Sequence, residues 1–265
     1  MRRDTTAIIL EKKEVARDHF RMRMSCSWCA GIVRPGQFAH VGFTDTDDPL
    51  LRRPYSIYRI DAQSLEILFQ VVGEGSRMLA ERQVGDTLSV LAPLGTGFGL
   101  PPTESTALVV GGGVGMASLF LLVERLMEAD VATRVLLGAR SANFLLCRAD
   151  LDGLGVRVDV ATDDGSEGFH GFVTDLAAHV LDDEKPQNPY AYACGPTAMM
   201  CALSKVTSDR SVPTEVALEN RMGCAMGVCL GCVVPVAVDG GIVYERVCTE
   251  GPVLDASRVV WEYRL

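Results

Sequence analysis

Four cysteines near the C-terminal end of the sequence constrain the fold more than any other feature. The chain has 265 residues and nine cysteines, and four of these lie in one glycine-rich stretch: Cys224, Cys229, Cys232 and Cys248. From Asn220 onward the segment is too short to bury a core of its own, so it needs a cross-link such as a metal site or disulfides. In a reducing compartment, clustered cysteines are more often metal ligands or catalytic groups than disulfides.

The spacing of these cysteines indicates which kind of site they form. They follow the pattern C-x4-C-x2-C-x15-C, whose order is that of plant-type [2Fe–2S] ferredoxins. Gly223, Gly227 and Gly231 lie beside or between them, where glycine lets the backbone turn tightly and point amides at the sulfurs. Zinc sites usually show two C-x2-C pairs, and only one is present here. We predict a [2Fe–2S] cluster, with zinc or two disulfides as the alternatives.

The first hundred residues have the pattern of short strands separated by turns. Pro35-Gly36, Gly73 to Gly75 and Gly85-Asp86 supply the breaks. Six short strands at this spacing predict a small antiparallel barrel. The predicted strands are Thr6–Glu11, His19–Met24, Gln37–Phe43, Tyr55–Arg59, Leu65–Val72 and Thr87–Leu91.

Beyond Pro101-Pro102, strands and helices alternate, which is typical of a doubly wound parallel sheet. The predicted strands are Ala107–Val110, Arg134–Leu137, Val156–Thr162, Tyr190–Ala193 and Glu215–Glu219. The predicted helices are Met116–Glu128, Val173–Val180 and Pro196–Ser204. We therefore expect a barrel domain over residues 1–101, an α/β domain over 102–218 and a cysteine-rich segment over 219–265.

Two motifs in the barrel suit a flavin with a pyrophosphate. Arg53-Pro54-Tyr55-Ser56 offers a guanidinium for a phosphate, an aromatic ring and a hydroxyl. The stretch 73–77, Gly-Glu-Gly-Ser-Arg, offers backbone amides and an arginine for a pyrophosphate. Taken singly, the first is also compatible with an ordinary strand start and the second with a surface turn.

Two strand-to-helix junctions in the α/β domain suit a nucleotide. Gly111 to Gly115 ends the first sheet strand, where a pyrophosphate can meet amides at a helix N-terminus. The run is not a strict G-x-G-x-x-G, because Met116 stands where the third glycine would fall. Cys194-Gly195-Pro196 lies at a second junction, at the edge where such sheets bind ligands. A flexible turn and a turn with proline at the first helical position are the alternatives.

These motifs occur in the order seen in the ferredoxin–NAD(P) reductase superfamily. The stretches at 162–175, 193–200, 219–232 and 245–253 closely resemble one family within it, the electron-transfer subunit of class 1B dihydroorotate dehydrogenase. The resemblance extends over essentially the whole chain, and the cysteine block is its most specific part.

The resemblance implies roles for individual residues. FAD would be held by Arg53, Pro54, Tyr55, Ser56, Gln70, Val71, Val72, Gly75 and Ser76. The cluster would be ligated by Cys224, Cys229, Cys232 and Cys248. NAD would face Gly111, Gly112, Gly113, Gly115, Gly195 and Pro196, with Cys194 as the catalytic candidate close to the nicotinamide.

The resemblance also implies a partner. An FMN-containing catalytic subunit would oxidise dihydroorotate to orotate in de novo pyrimidine (UMP) biosynthesis, in a heterotetramer of two subunits of each kind. Electrons would run from FMN through the cluster and FAD to NAD⁺. Alternatives with the same chemistry are subunits of a ferredoxin–NADP transhydrogenase, a sulfhydrogenase or an anaerobic sulfite reductase. A redox-sensing or zinc-stapled regulator without enzymatic activity is an alternative of a different class.

Composition excludes some partners and suggests a compartment. The net charge of −9 argues against nucleic acid and anionic membranes, which need a basic face. No apolar run approaches the roughly 20 residues that span a bilayer. Because the N-terminal residues lack an apolar signal region, we expect a cytoplasmic protein.

Two local features leave choices open. Cys26 and Cys29 form a second C-x2-C, which is either a redox pair or two incidental loop cysteines. The lack of a predicted helix start beside them favours incidental cysteines. Arg140-Ser141 follows the second sheet strand, where NAD recognition usually uses an acidic residue and an arginine suits a 2′-phosphate. The preference for NAD therefore follows from the family resemblance.

Overall fold

The N-terminal domain is a closed barrel of six antiparallel strands, as predicted. The structure is a computed structural model that describes residues 2–29 and 31–262. The barrel strands pair in the order β1-β2-β5-β4-β3-β6. They are β1 (Arg3–Ala16), β2 (His19–Ser25), β3 (Phe38–Phe43), β4 (Arg53–Ile60), β5 (Ser64–Gln70) and β6 (Thr87–Leu94). Closure pairs every strand on both sides and removes free sheet edges.

The turn predicted at 73–77 is in fact the start of a helix, α1 (Glu74–Glu81). The Ser76 hydroxyl accepts hydrogen bonds from the amides of Val72 and Gly73, at 2.9 and 3.1 Å, and donates to the Gly73 carbonyl. These bonds close the first turn, and Leu79 is buried in the barrel core. The prediction of a simple turn failed because the glycines suggested a break, whereas the serine caps a helix.

The second domain is a sheet of seven strands in the order β10-β9-β8-β7-β11-β12-β15. Six strands run parallel: β7 (Thr106–Gly112), β8 (Ala132–Ala139), β9 (Arg157–Thr162), β10 (Phe169–His170), β11 (Pro189–Cys194) and β12 (Thr214–Ala217). The α-helices of this domain are α2 (Met116–Glu128), α3 (Arg148–Gly153), α4 (Val173–His179) and α5 (Thr197–Ser208). The helix over Met116–Glu128 has the predicted bounds. Within the described ranges, no helix is both long and apolar enough to cross a bilayer.

The cysteine-rich segment shares the sheet and the core of the second domain. It contains a hairpin, β13 (Val233–Val238) with β14 (Gly241–Arg246), and a short strand, β15 (Val253–Asp255). β15 pairs antiparallel with β12, extending the parallel sheet at its edge. Val234, Val236 and Val247 are fully buried in the same hydrophobic cluster as Leu108 and Val110 of β7. The segment thus obtains most of its buried surface from its neighbour.

The barrel meets the cysteine-rich segment through a joint of backbone contacts. The Thr96 amide donates to the Gly251 carbonyl at 2.6 Å, and the Thr96 hydroxyl donates to the Val253 carbonyl at 3.2 Å. Gly36 has φ +85°, and a Cβ there would lie 2.8 Å from atoms of Phe98 and Val253. Only glycine fits this conformation and this approach. The joint fixes the cysteine segment against the barrel.

A cluster of charged and hydroxyl groups joins the barrel to α3. Asp150 accepts hydrogen bonds from Tyr58 Oη at 2.7 Å, Arg59 Nη1 at 3.2 Å and Arg21 Nη1 at 3.3 Å. Arg59 also donates to Glu124 of α2 at 3.0 Å. Burial raises the pKa of Tyr58, so its hydroxyl remains a donor. One carboxylate thus holds three barrel side chains to the second domain.

We expect Asp150→Ala to lower the free energy of unfolding by about 1–2 kcal/mol, because the buried Tyr58 and two half-buried arginines lose their acceptor. Asp152→Ala on the same helix is the control, since Asp152 pairs with the nearby Arg148 at the surface. We expect it to cost less than about 0.5 kcal/mol. Denaturant unfolding of the two variants measures the difference, and equal losses would contradict the interdomain role of Asp150.

Candidate functional site

The four C-terminal cysteines come together as two pairs. The Cys224 and Cys229 side chains interact with each other, and so do those of Cys232 and Cys248, so that Cys229 contributes to the lowered pKa of Cys224 and Cys232 to the raised pKa of Cys248. Among the described residues, no three His, Cys, Asp or Glu side chains converge as ligands of a single metal ion would. In a [2Fe–2S] cluster each iron takes two of the four thiolates. The paired arrangement fits this cluster better than the zinc alternative.

Backbone amides surround the outer pair of thiols. The Sγ atom of Cys224 accepts hydrogen bonds from the amides of Val228, Met226 and Cys229 at 3.3–3.4 Å. Burial would raise the pKa of Cys224, but the amides outweigh it and lower the pKa to about 6. Such donors favour thiolate and tune the potential of a bound cluster.

The two pairs differ in exposure. Cys232 and Cys248 are each only 2% exposed, and burial raises the pKa of Cys248 to about 11. Cys229 is exposed and Cys224 half-buried. A cluster held here would have an inner side that faces the protein and an outer side that faces solvent.

A cleft of about 270 Å³ lies between the barrel, α2 and the start of the cysteine segment. Five residues predicted to bind FAD line it: Pro54, Tyr55, Ser56, Gln70 and Val72. The side chain of Val71 instead packs against the barrel core. Met222 and Pro252 of the cysteine segment line the opposite side. The walls are largely apolar with a few polar groups, which suits the ring system of a flavin.

The remaining predicted FAD residues form a cradle near this cleft. Arg53 crosses the N-terminus of α1 so closely that a Cβ on Gly75 would collide with its guanidinium. Arg53 donates to the carbonyl of Leu51, and no carboxylate of the described residues pairs with it. A cation beside helical N–H groups provides the donors that a pyrophosphate needs. The residues present therefore fit FAD.

A chain of polar side chains runs beneath the cleft. Ser56 Oγ lies 2.6 Å from Ser118 Oγ, and the Ser118 hydroxyl in turn interacts with the Cys194 thiol and partly offsets the effect of burial on its pKa. Cys194 is fully buried and does not line the cleft. Burial raises the pKa of its thiol, so the group is neutral. Any effect of Cys194 on a nicotinamide in the cleft would pass through Ser118.

Glu219 lines the same cleft and was missed by the sequence analysis. Its side chain is open to the cleft, yet the protein atoms packed around it raise the pKa of its carboxyl through desolvation. After burial, the charge of Glu219 is the next contribution that raises the pKa of the Cys194 thiol. The sequence could have indicated Glu219 through its position two residues after β12. Ligands bind at this carboxyl edge of such a sheet.

The glycine run and the Cys194 turn lie against each other. They follow the adjacent parallel strands β7 and β11. A Cβ on Gly115 would lie 2.6 Å from the Cys194 carbonyl oxygen, so glycine is required for this approach. Gly113 has φ +54° and open space in front of it. The two predicted nucleotide motifs thus form one surface at the N-terminus of α2.

Comparisons with known proteins show the family to which this chain belongs. A family model described as the iron–sulfur cluster binding domain of dihydroorotate dehydrogenase B matches residues 219–260, and one for an oxidoreductase NAD-binding domain matches residues 109–205. The dihydroorotate dehydrogenase B (NAD(+)) electron transfer subunit of Desulforamulus reducens is 40% identical, covering 97% of this chain and 98% of that protein. The subunit of the same name from a Geobacillus species is 36% identical over 95% of this chain and 96% of its own length. The chain belongs to this family of electron-transfer subunits.

A solved structure resembles this family member closely. An NADH-dependent reduced ferredoxin–NADP oxidoreductase, studied for flavin-based electron bifurcation, has 28% identity and a TM-score of 0.86 and covers 97% of this chain and 90% of its own. A ferredoxin–NADP⁺ reductase from Neisseria gonorrhoeae with bound FAD and NADP has 21% identity and a TM-score of 0.68, covering 78% of this chain and 91% of its own. The latter likeness supports the fold.

The edge of the sheet beyond β8 and β9 carries charges of both signs in this electron-transfer subunit. Arg140 is exposed at the end of β8. Asp163 and Asp164 lie beside it, because their amides donate to the carbonyls of Ala139 and Arg140 at 3.0 and 3.2 Å. These aspartates follow β9, the third strand of the parallel sheet in chain order. The usual rule looks for an acidic residue after the second strand and so did not find them. The edge therefore offers the carboxylates that NAD recognition uses, in addition to the arginine.

Cys26 and Cys29 form a disulfide, with Cα atoms 5.7 Å apart. The expectation of two incidental loop cysteines is therefore wrong. Both residues are buried against the barrel core, where the loop after β2 folds back on itself. The bond closes the start of the loop that leads to β3.

We expect Cys229→Ser to remove the iron while FAD stays bound, because the cysteine pairs and the cleft are separate sites. Cys201→Ser on α5 is the control, since Cys201 is a free cysteine outside the cysteine segment. Iron and flavin contents of the purified variants measure the outcome. Parallel loss of flavin and iron from the Cys229 variant would contradict two separate sites.

Arg53→Ala should weaken FAD binding by about 1.5–3 kcal/mol, because a charge-assisted phosphate contact is removed. The neighbouring Arg52 is the control, as it pairs with Asp4 at 2.9 Å and lies outside the cleft. Titration of apoprotein with FAD measures both affinities. If Arg53→Ala and Arg52→Ala bind FAD with equal affinity, the assignment of Arg53 to the FAD phosphates is wrong.

Glu219→Gln should remove one step from the pH profile of NADH oxidation with an artificial acceptor. The raised pKa keeps the carboxyl neutral to a higher pH than usual, so the variant should behave at every pH as the wild type does below that pKa. Glu215→Gln is the control, because burial also raises the pKa of Glu215 but its side chain does not line the cleft. An unchanged profile in Glu219→Gln would argue against a role at the nicotinamide.

Proposed function

We propose that this chain conducts electrons from a dihydroorotate-oxidising partner to NAD⁺ in pyrimidine biosynthesis. The observation that carries the proposal is the continuity of three sites. Met222 and Pro252 of the cysteine segment line the flavin-type cleft, and so do Val114 of the glycine run and Ser118 of α2. The cysteine segment and the glycine run therefore both reach the cleft, which supports a path for electrons between them.

Each site has residues that suit its cofactor. Cys224, Cys229, Cys232 and Cys248 would hold the cluster. Arg53, Tyr55, Ser56 and the N-terminus of α1 would hold FAD, and the glycines from 111 to 115 would hold NAD. When bound, FAD supplies hydride exchange with the nicotinamide and single-electron exchange with an iron–sulfur cluster.

The residues of this chain position the cofactors and exclude water. Burial raises the pKa of Tyr55 to about 12, so the phenol stays neutral and its ring is available to pack on a flavin. Ser56 and Ser118 offer hydroxyls at the edge of the cleft, and Cys194 stays neutral beneath them. The carboxyl of Glu219 is placed to hold or release a proton at the cleft.

The partner that we propose is an FMN-containing dihydroorotate dehydrogenase subunit, in a cytoplasmic heterotetramer with two subunits of each kind. The relatives are named as electron transfer subunits of such an enzyme. The cleft of this chain suits the ring system of a flavin. Oxidation of dihydroorotate is therefore assigned to the partner.

A second candidate is a homologous subunit of another NAD(P)H-linked complex. The similarity to the reduced ferredoxin–NADP oxidoreductase, with a TM-score of 0.86, favours this alternative over others. Fold and cofactors are compatible with both functions, so the identity of the electron donor decides between them.

The deciding experiment is dihydroorotate-dependent reduction of NAD⁺ by this chain, with and without the FMN-type subunit from the same genome. We expect NADH only when both chains are present. If this chain contains FAD and iron and oxidises NADH but never couples to that subunit, the pyrimidine role is wrong. Reduced ferredoxin would then be tested as the donor.

A further inference from the structure

Large apolar side chains are exposed around the outer cysteine pair, Cys224 and Cys229. Met226, Val228 and Leu230 alternate along the loop that carries the outer thiols, which we call the apolar loop. Their side chains are 47%, 77% and 59% exposed. Cys229 lies among them and is itself exposed. Ala225 and Leu230 adopt positive φ, which turns the loop outward in this conformation. Large apolar side chains gathered around an exposed metal ligand indicate a contact surface.

A polar hollow of about 300 Å³ adjoins the cysteines on the barrel side. We call it the arginine hollow, and its lining includes Arg2, Ile32, Arg34, Gln37, Cys248 and Thr249. Thr249 also contacts the apolar loop, because a Cβ on Gly227 would lie 2.9 Å from its Cγ2. The arginine hollow and the apolar loop therefore form one continuous surface.

Arg2 and Arg34 have no ion pair within the described part of the chain, and both are exposed. Other surface arginines do have carboxylate partners, as Arg82 has Asp45 at 2.7 Å and Arg210 has Asp182 at 2.6 Å. In a protein with net charge −9, two unpaired arginines at one hollow are a local positive site on a negative molecule. Such a site selects a partner that presents negative charge.

The backbone holds Arg34 in position before any partner binds. Its amide donates to Gln37 Oε1 at 2.8 Å, and Gln37 Nε2 donates to the Gly95 carbonyl at 2.7 Å. Gly97 permits the contact, since a Cβ there would lie 2.6 Å from the Arg34 Cβ. These contacts fix the backbone and Cβ of Arg34, so that its side chain starts from a defined position at the hollow.

The geometry points to the arginine hollow as the recognition site for carboxylates of the catalytic partner subunit, with the apolar loop packed against the partner beside its flavin. This inference rests on the proposed function and specifies the chemistry of the interface. The charge pair guides approach and fixes orientation, while the apolar contact excludes water near Cys229. The exposed cysteine pair is then the side at which electrons enter.

The test is titration of this chain, wild type or variant, with the FMN-type subunit, following NADH formation from dihydroorotate. Arg34→Glu should raise the half-saturating partner concentration about tenfold at low salt. The double variant with Arg2→Glu and Arg34→Glu should raise this concentration further. The increase should shrink as salt is added, since screening weakens the wild-type attraction. Activity at saturating partner should change much less.

Lys13→Glu is the matched control. Lys13 is exposed on β1, has no ion pair among the described residues and lies about 30 Å along the strand from Arg3. We expect it to match the wild type. Iron content, flavin content and NADH oxidation with an artificial acceptor should be unchanged in all variants, which excludes misfolding. If Arg34→Glu loses iron, Arg34→Gln replaces it as the test.

The outcomes separate the two proposals. If the wild type couples to the partner and Arg34→Glu or Arg34→Gln couples as well as Lys13→Glu, the arginine hollow does not recognise carboxylates and the inference is wrong. A half-saturating concentration that does not depend on salt in the wild type would overturn it equally. If the wild type fails to couple at any partner concentration, the proposed function falls and the inference falls with it.

Discussion

The pairing of β15 with β12 is the interaction on which the arrangement of sites depends. Residues Thr214–Ala217 and Val253–Asp255 form the edge of the sheet. The pairing returns the chain from the cysteine loop to the sheet, and Pro252, just before β15, becomes part of the wall of the flavin-type cleft. Together with the buried valines of the segment, this pairing attaches the cysteine segment to the sheet beside the cleft. The pairing thus holds the cysteine segment in a defined position relative to the cleft.

The barrel contributes the other half of this constraint. Thr96 bonds to the backbone of the cysteine segment, and Asp150 bonds the barrel to α3. The cleft therefore lies between three elements that are each held to the others. Electron transfer requires cofactors at fixed separations, and backbone pairing together with a few glycines that have no room for a side chain holds these three elements in place.

Much of this could be predicted from the sequence, and the failures have physical causes. Alternating strands and the helix Met116–Glu128 have strong periodicity, so the barrel and the sheet were predicted correctly. The helix Glu74–Glu81 was missed because its glycines resemble a turn, and the disulfide of Cys26 and Cys29 because spacing alone does not show how a loop folds. Glu219 was missed because its role depends on which strand lies beside the cleft. The four cysteines led to the prediction of a cluster because cluster ligation requires a particular residue type at a particular spacing.

The most direct test of the central claim is the cofactor content of the anaerobically purified chain. The account predicts about two iron atoms and two acid-labile sulfides per chain, together with one FAD, and bleaching of both chromophores by NADH. Stoichiometric zinc without labile sulfide, or FAD that NADH cannot reduce, would contradict it.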